Sequence, residues 1–176
     1  MLRPAIDRDS EDIRRWRNHP QVRAASLTTH EIGPAEHATW FAAARADPTR
    51  RVLIYEFDGT GSGVVNFFDI DAAAKAARWG FFLDLDGLDS HGATLPAWVG
   101  IERDAVAYAF DALGVDTLRG EVREDNTVVR RMNKRFGFVE GEPEPQAIDG
   151  VTHRVVPISL SRSAHEARLA KAARSA

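Results

Sequence analysis

The 176-residue sequence predicts an α/β molecule of the mixed α+β kind, a twisted central sheet of about six or seven strands carrying helices. Three observations predict it. Residues 78–83 form a short apolar run, suited to a strand covered on both faces. Residues 96–113 place Trp98, Ile101, Ala105, Ala109 and Leu113 on one helical face, with Val106 and Phe110 beside them, and Gly114 ends that helix. Residues 117–122 then return as a strand. Strand, crossover helix and strand make a right-handed βαβ unit, with ligands at the carboxyl ends of the strands.

Upstream of this unit, residues 2–6 suit a first strand. Ser10 can cap a short helix over 11–17 that turns Ile13 and Trp16 inward. Asn18-His19-Pro20 interrupts it, because the residue before proline disfavours helix. A helical turn at 21–24 and a polar loop over 26–32 follow. Pro34 fits the first turn of the next helix, where His37, Trp40, Phe41 and Ala44 share a face, and Asp47-Pro48 ends it. Residues 52–57 and 63–70 read as strands around a turn, and a second turn at 71–74 leads into the strand over 75–83. Three antiparallel strands therefore precede the crossover. Beyond it, Asn126 can cap a helix whose Val129, Met132 and Phe136 share a face, with Gly137 suited to a left-handed stop. Residues 141–145 read as an acidic loop and 153–160 as a final strand. Nothing resembling a linker or a repeat interrupts the chain, so residues 1–162 are expected to form one domain, with 163–176 as an Ala/Arg-rich helix or frayed tail.

Composition excludes several classes of function. A formal net charge of −3 argues against a general nucleic-acid binder, which carries a basic surplus. Without cysteine there is no disulfide, no thiolate metal site and no cysteine nucleophile, and no metal is expected. No apolar run approaches about 20 residues, and Met1-Leu2-Arg3-Pro4 lacks a signal-peptide core. A cytoplasmic protein, off the membrane, is the expectation.

The order of elements over residues 2–160, closing on Asn126, a helix and Phe136-Gly137-Phe138, resembles the GNAT superfamily of acyl-coenzyme A-dependent N-acyltransferases. The resemblance implies the GNAT fold, with the strands at 75–83 and 117–122 adjacent, parallel and then splayed. It implies acetyl-CoA as co-substrate, its pantetheine arm along Phe81, Phe82 and Leu83, and its pyrophosphate on the loop before the long helix. That loop matches here as Ser90, His91, Gly92, Ala93, Thr94 and Leu95, departing from the family's pattern in lacking the basic first residue and the last glycine. Gly92 allows close backbone approach, and a strand-to-helix turn presents unpaired N–H groups to an anion. Asp84, Asp86 and Asp89 stand nearby, and carboxylates beside a pyrophosphate repel it. Asn126 is implied to cap its helix and to meet the pantetheine arm. Arg130 and Arg131 are candidates for coenzyme A phosphates, the alternative being a solvated basic face.

Arg17-Asn18, His30-Glu31, His37, Trp40, Asn66, Asp69 and Glu121-Val122 resemble a narrower branch, the N-acetyltransferases of nucleotide-linked 4-amino-dideoxy sugars of the pseudaminic acid type. That branch implies a small-molecule amine as partner, probed by Arg17, Asn18, His30, Glu31, His37, Trp40 and Asn66. Arg17 can hold a phosphate bidentately, and Trp40 equally suits the core. The chemistry needs a base for the attacking amine and help for the leaving thiolate. Candidates for the base are Glu121, then His30 and Asp69; Glu121 can instead be an exposed strand residue. The family's acidic tyrosine falls on Asn133, which donates a hydrogen bond but no proton. Alternatives are a protein N-terminal or aminoglycoside N-acetyltransferase of the same fold, and a non-catalytic GNAT domain that binds a ligand. A homodimer is compatible with all of them.

Overall fold

A computed structural model describes residues 1–174. Its centre is one eight-stranded sheet: β1 (Leu2–Pro4), β2 (Arg51–Phe57), β3 (Thr60–Asp71), β4 (Ala76–Leu83), β5 (Thr117–Arg123), β6 (Val139–Glu140), β7 (Glu144–Ile148) and β8 (Val151–Ser161). The order is β1-β2-β3-β4-β5-β8-β6, with β7 also on β8. Only β4 and β5 run parallel, as the crossover predicts. Their pairing stops after Ala76–Thr117, Ala77–Leu118 and Arg78–Arg119. From there β4 stays with β3 through Leu83 and β5 stays with β8 through Arg123, so the two strands part.

Two apolar layers hold the sheet, because alternate residues of each strand face opposite sides. On one face, Leu53, Val65, Phe67, Ala77, Trp79, Leu83 and Leu118 pack under the long helix α5 (Thr94–Ala107) through its Ala97, Ile101 and Ala105. That helix ends in a wider turn over Tyr108–Ala112. α6 (Thr127–Phe136) adds Phe136 to the same layer, and Gly137 closes it at φ 95°, the left-handed value that favours glycine. On the other face, Val52, Ile54, Val64 and Phe82 meet Ile13 and Trp16 of α1 (Ser10–Asn18) and Phe41 and Ala44 of α3 (Pro34–Ala46). α2 (Pro20–Ala25) lies between those helices in sequence, and Arg162–Arg174 forms a terminal helix, α7, after β8. Of the expected tail, Ser175 and Ala176 lie outside the described residues.

The strand count exceeds the expected six or seven by two short strands on β8, β6 in a stretch with no strand signal and β7 overlapping the expected acidic loop. β7 lies in the acidic stretch and contains Pro145, which an edge strand tolerates since its missing N–H faces away from the ladder. A short helix, α4 (Leu85–Asp89), also replaces an expected loop. Asp84 caps it by accepting from the Gly87 N–H at 3.2 Å. α5 begins at Thr94, two residues ahead of its predicted start.

Candidate active site

The parting of β4 from β5 leaves the edge of residues 79–83 facing a gap rather than a partner strand. Phe81 and Phe82 flank this edge on opposite faces. Phe81 stacks on Trp79 at 5.5 Å and meets Trp98 of α5 edge-on at 6.4 Å, whereas Phe82 joins the layer under α1 and α3. Leu83 is buried beneath α5. An extended ligand carrying amide groups can pair with such an edge as an added strand.

The connection from β4 to α5 narrows the expected phosphate site. Four of its N–H groups are already used: Ser90 bonds Asp86 O, His91 and Ala93 bond Leu88 O, and Gly92 bonds Asp89 O. Thr94 and Leu95 open α5, where no preceding helical carbonyl serves them, and Pro96 has no N–H to offer. Gly92 is needed for its φ of 63°, and a Cβ there would meet nothing within 4 Å. The His91 ring stays local, 2.7 Å from Ser90 Oγ and 3.0 Å from Gly87 O. Of the three nearby carboxylates, Asp84 lies 3.8 Å from Arg15 and Asp86 lies 3.4 Å from His19, both turned toward α1. Asp89 remains at the start of α5, accepting from the Thr94 hydroxyl.

On α6, Asn126 caps the helix by accepting from Val129 N–H at 3.3 Å. Arg130 is committed to Glu140, with two hydrogen bonds of 2.8 and 2.9 Å that hold the Glu140 carboxyl down at about 2. Arg131 stays exposed and donates to Thr127 O at 3.3 Å. Asn133 is 3% exposed on the helix's inner face, between Val129 and Phe136.

The opposite face of the sheet carries a second, polar constellation. Asn66 on β3 pairs in register with Gly80 on β4, and both point toward the α1–α3 side, as their neighbour Val52 does. A Cβ on Gly80 would meet nothing within 4 Å, so a slot stands open above it. Phe82 bounds the slot at one end and Arg78 at the other. The Arg78 guanidinium lies 2.6 Å from Glu121 of β5 and 3.8 Å from Asp69 of β3, and covers the Phe68 ring at 5.3 Å. Two of the residues singled out as bases are therefore brought together by an arginine that the sequence reading passed over. Its only signal was its place two residues before Gly80 on the central strand; the partners are distant in sequence. Asn66 Oδ1 is buried without a hydrogen-bond partner.

α1 and the loop before α3 roof this face. Arg17 donates to Thr28 O at 2.8 Å, and its Nη1 is buried with no partner. Burial, with Arg23 nearby, lowers its pKa. Asn18 holds Ile32 reciprocally, both bonds 2.8 Å, so it serves the loop. Arg23 donates to Thr29 O at 2.9 Å and lies 3.8 Å from the exposed Glu31. His30 is half exposed and bonded to Glu36 at 2.8 Å, apart from the Arg78 cluster's ion pairs. His37 is buried against Trp40 and Phe41, with burial pushing its pKa down, and Trp40 packs against the second core. The loop reaches the β7–β8 turn, where Thr29 donates to Asp149 from both N–H and hydroxyl.

No group of three or more His, Cys, Asp or Glu able to hold a metal occurs among the described residues, and no helix there is long and apolar enough to cross a membrane. A groove of about 560 Å³ runs between α5 and the end of β2, past Tyr55, Leu95, Val99, Arg103 and Arg135. It lies on the sheet face that carries α5, opposite the slot above Gly80.

Comparison with known proteins gives a consistent family. The profile of the GNAT acetyltransferase domain matches residues 1–139. The acetyltransferase PseH of Campylobacter jejuni is 28% identical over 142 residues, covering 78% of this chain and 83% of that protein. Spermidine N-acetyltransferase from Vibrio cholerae, solved with CoA and spermine, superposes with a TM-score of 0.78 at 16% identity, over 94% of this chain and 96% of the other. The Salmonella typhimurium protein YncA, solved with acetyl-CoA, gives 0.69 at 16% identity over 92% of each chain.

Proposed function

Because the chain belongs to the GNAT acetyltransferase family, we propose that it moves the acetyl group of acetyl-CoA to the primary amine of a small acceptor, a nucleotide-linked amino sugar. The observation that carries this is the gap between β4 and β5, which opens on both faces of the sheet. The pantetheine arm adds to β4 along Phe81 to Leu83, and Thr94 and Leu95 N–H groups meet the pyrophosphate. The acceptor amine enters from the α1–α3 side, above Gly80. Its lone pair attacks the thioester carbonyl; the C–N bond forms, the C–S bond breaks, Glu121 or water takes the amine proton, and the thiolate is protonated from solvent. Asn133 has no proton to give. Asn66 Oδ1 and the free Nη1 of Arg17 are two of the unpaired buried polar atoms on the acceptor side, one suited to an amine or hydroxyl and the other to a phosphate. A polycation would meet the unpaired guanidinium nitrogen of Arg17 there, which favours the nucleotide over a polyamine or an aminoglycoside. The cytoplasm is the compartment that goes with this reading.

A second reading rests on the tied N–H groups of the phosphate loop and on Asp89: a domain that binds its acceptor and has lost the donor. Calorimetry with acetyl-CoA, followed by thiol release with a panel of nucleotide-linked amino sugars, protein N-termini, aminoglycosides and polyamines, decides. Donor binding with turnover of the nucleotide-linked amines is the expected result. No heat with acetyl-CoA favours the second reading, and turnover of polyamines alone removes the sugar.

A further inference from the structure

We propose that Arg78 is a positioning residue for the transfer reaction, balancing the charge of Asp69 and Glu121 so that the bound amine is not trapped as an ammonium ion. This rests on the function proposed above. A primary amine must be neutral to attack, and two carboxylates, Asp69 and Glu121, stand beside the Arg78 that bounds the slot above Gly80. Alone, they would stabilise the ammonium form, since an opposite charge within a few ångströms favours the charged state. The guanidinium of Arg78 stands between them, 2.6 Å from Glu121 and 3.8 Å from Asp69. Within this cluster, one cation against two anions leaves a single net negative charge, enough to accept a proton in the transition state.

The rest of the surroundings are accounted for. On β4 the same face carries only Ala76 and Gly80 next to Arg78. On β3, Asp71 is turned onto the N–H groups of Ala73 and Ala74 at 2.9 and 2.8 Å. On β5, Arg119 is register partner to Arg78 and exposed. From the loop before β2, Arg50 shares the Phe68 ring at 5.9 Å and bonds Asp47. On β8 the residue opposite Glu121 is Pro157, which brings no charge. Phe68 under the guanidinium and the two carboxylates beside it fix Arg78 in one orientation. Asp69 adopts φ 50° at the irregular end of the β3–β4 pairing, which aims its carboxylate at Arg78 rather than continuing the strand.

The test is the pH dependence of kcat with acetyl-CoA and a nucleotide-linked 4-amino-dideoxy sugar for the parent, Arg78→Met, Arg78→Lys and Arg78→Met with Asp69→Asn. In Arg78→Met the acid limb of kcat should move up by about one pH unit, so that kcat at pH 7 falls about tenfold and recovers above pH 9. Acetyl-CoA affinity should not change. Arg78→Lys, which keeps the charge, should restore the parental limb, and so should the double variant, which returns the net charge to minus one. Asparagine tolerates the left-handed backbone at 69, so the double variant also serves if Arg78→Met alone folds poorly. An Arg78→Met profile parallel to the parent's, or a double variant no better than the single, overturns the inference. A parent that transfers no acetyl group to any amine overturns instead the function on which it rests.

Discussion

Replacing Glu121 by Gln keeps its length and its reach to Arg78, 2.6 Å away, while removing the place for a proton. Loss of a general base typically costs about 10²–10⁴ in rate. Turnover of Glu121→Gln should fall within that range at near-constant acetyl-CoA affinity, with partial recovery at high pH where more free amine is present. Parental turnover would mean that solvent deprotonates the amine before it binds. Glu102 sits in a different situation. It is fully buried on α5 with neither carboxylate oxygen in a hydrogen bond, and burial pushes its pKa up to about 8, weakly opposed by Trp98 one turn away. An acid whose folded pKa is raised stays protonated while the unfolded chain releases its proton. Stability is therefore full below the ordinary carboxylate range and is lost as pH rises from there to about 8, by about 4–5 kcal/mol in all. Thermal melts of the parent and Glu102→Gln between pH 5 and 8 check this. The variant should gain several degrees on the parent as pH rises, and melts that stay parallel would place the titration elsewhere.

At the scale of elements, the proposed donor site rests on the connection between β4 and α5. A bulky residue at Gly92 is expected from sequence to block the pyrophosphate with little cost in stability. The φ of 63° changes that expectation. Valine there is strained by about 1–2 kcal/mol, so its effect on binding is mixed with unfolding. Asparagine accepts the left-handed backbone and still adds a side chain. Gly92→Asn should melt near the parent and bind acetyl-CoA more weakly by calorimetry; unchanged affinity would move the pyrophosphate away from this turn. The sheet's centre and the crossover were legible because apolar periodicity reports burial, and burial made β4, α5, β5 and α6. What sequence hid was set by single hydrogen bonds or by distant partners. α4 depends on Asp84 reaching Gly87, and β7 on an edge where Pro145 costs nothing. In the site, Asn126 was legible as a cap, whereas the Arg78–Glu121 pair joins strands 43 positions apart that no local pattern connects.

Across the whole molecule, the two packed layers are joined at the acceptor side by one polar strap. Arg17, Asn18 and Arg23 hold residues 28–32 onto the α1–α2 side. Thr29 then fastens that loop to Asp149 in the β7–β8 turn, through its N–H at 2.8 Å and its hydroxyl. These bonds hold the Asp149 carboxyl below its usual range, so the strap persists at any pH above that range and is released only as pH falls through the lowered value. The strap crosses from the helices covering β2 and β3 to the hairpin beyond β5, and so spans the face proposed for the acceptor. Asp149 lies at φ 49°, which glycine adopts without strain, so Asp149→Gly removes the carboxylate and spares the turn. Loss of a charged hydrogen bond is worth roughly 1.5–3 kcal/mol in general, the low end applying to this exposed one. KM for the amine should therefore rise by about tenfold, with KM for acetyl-CoA unchanged and hydrogen exchange faster in residues 27–31. Faster exchange with an unchanged acceptor KM would show that the strap closes over nothing the substrate touches.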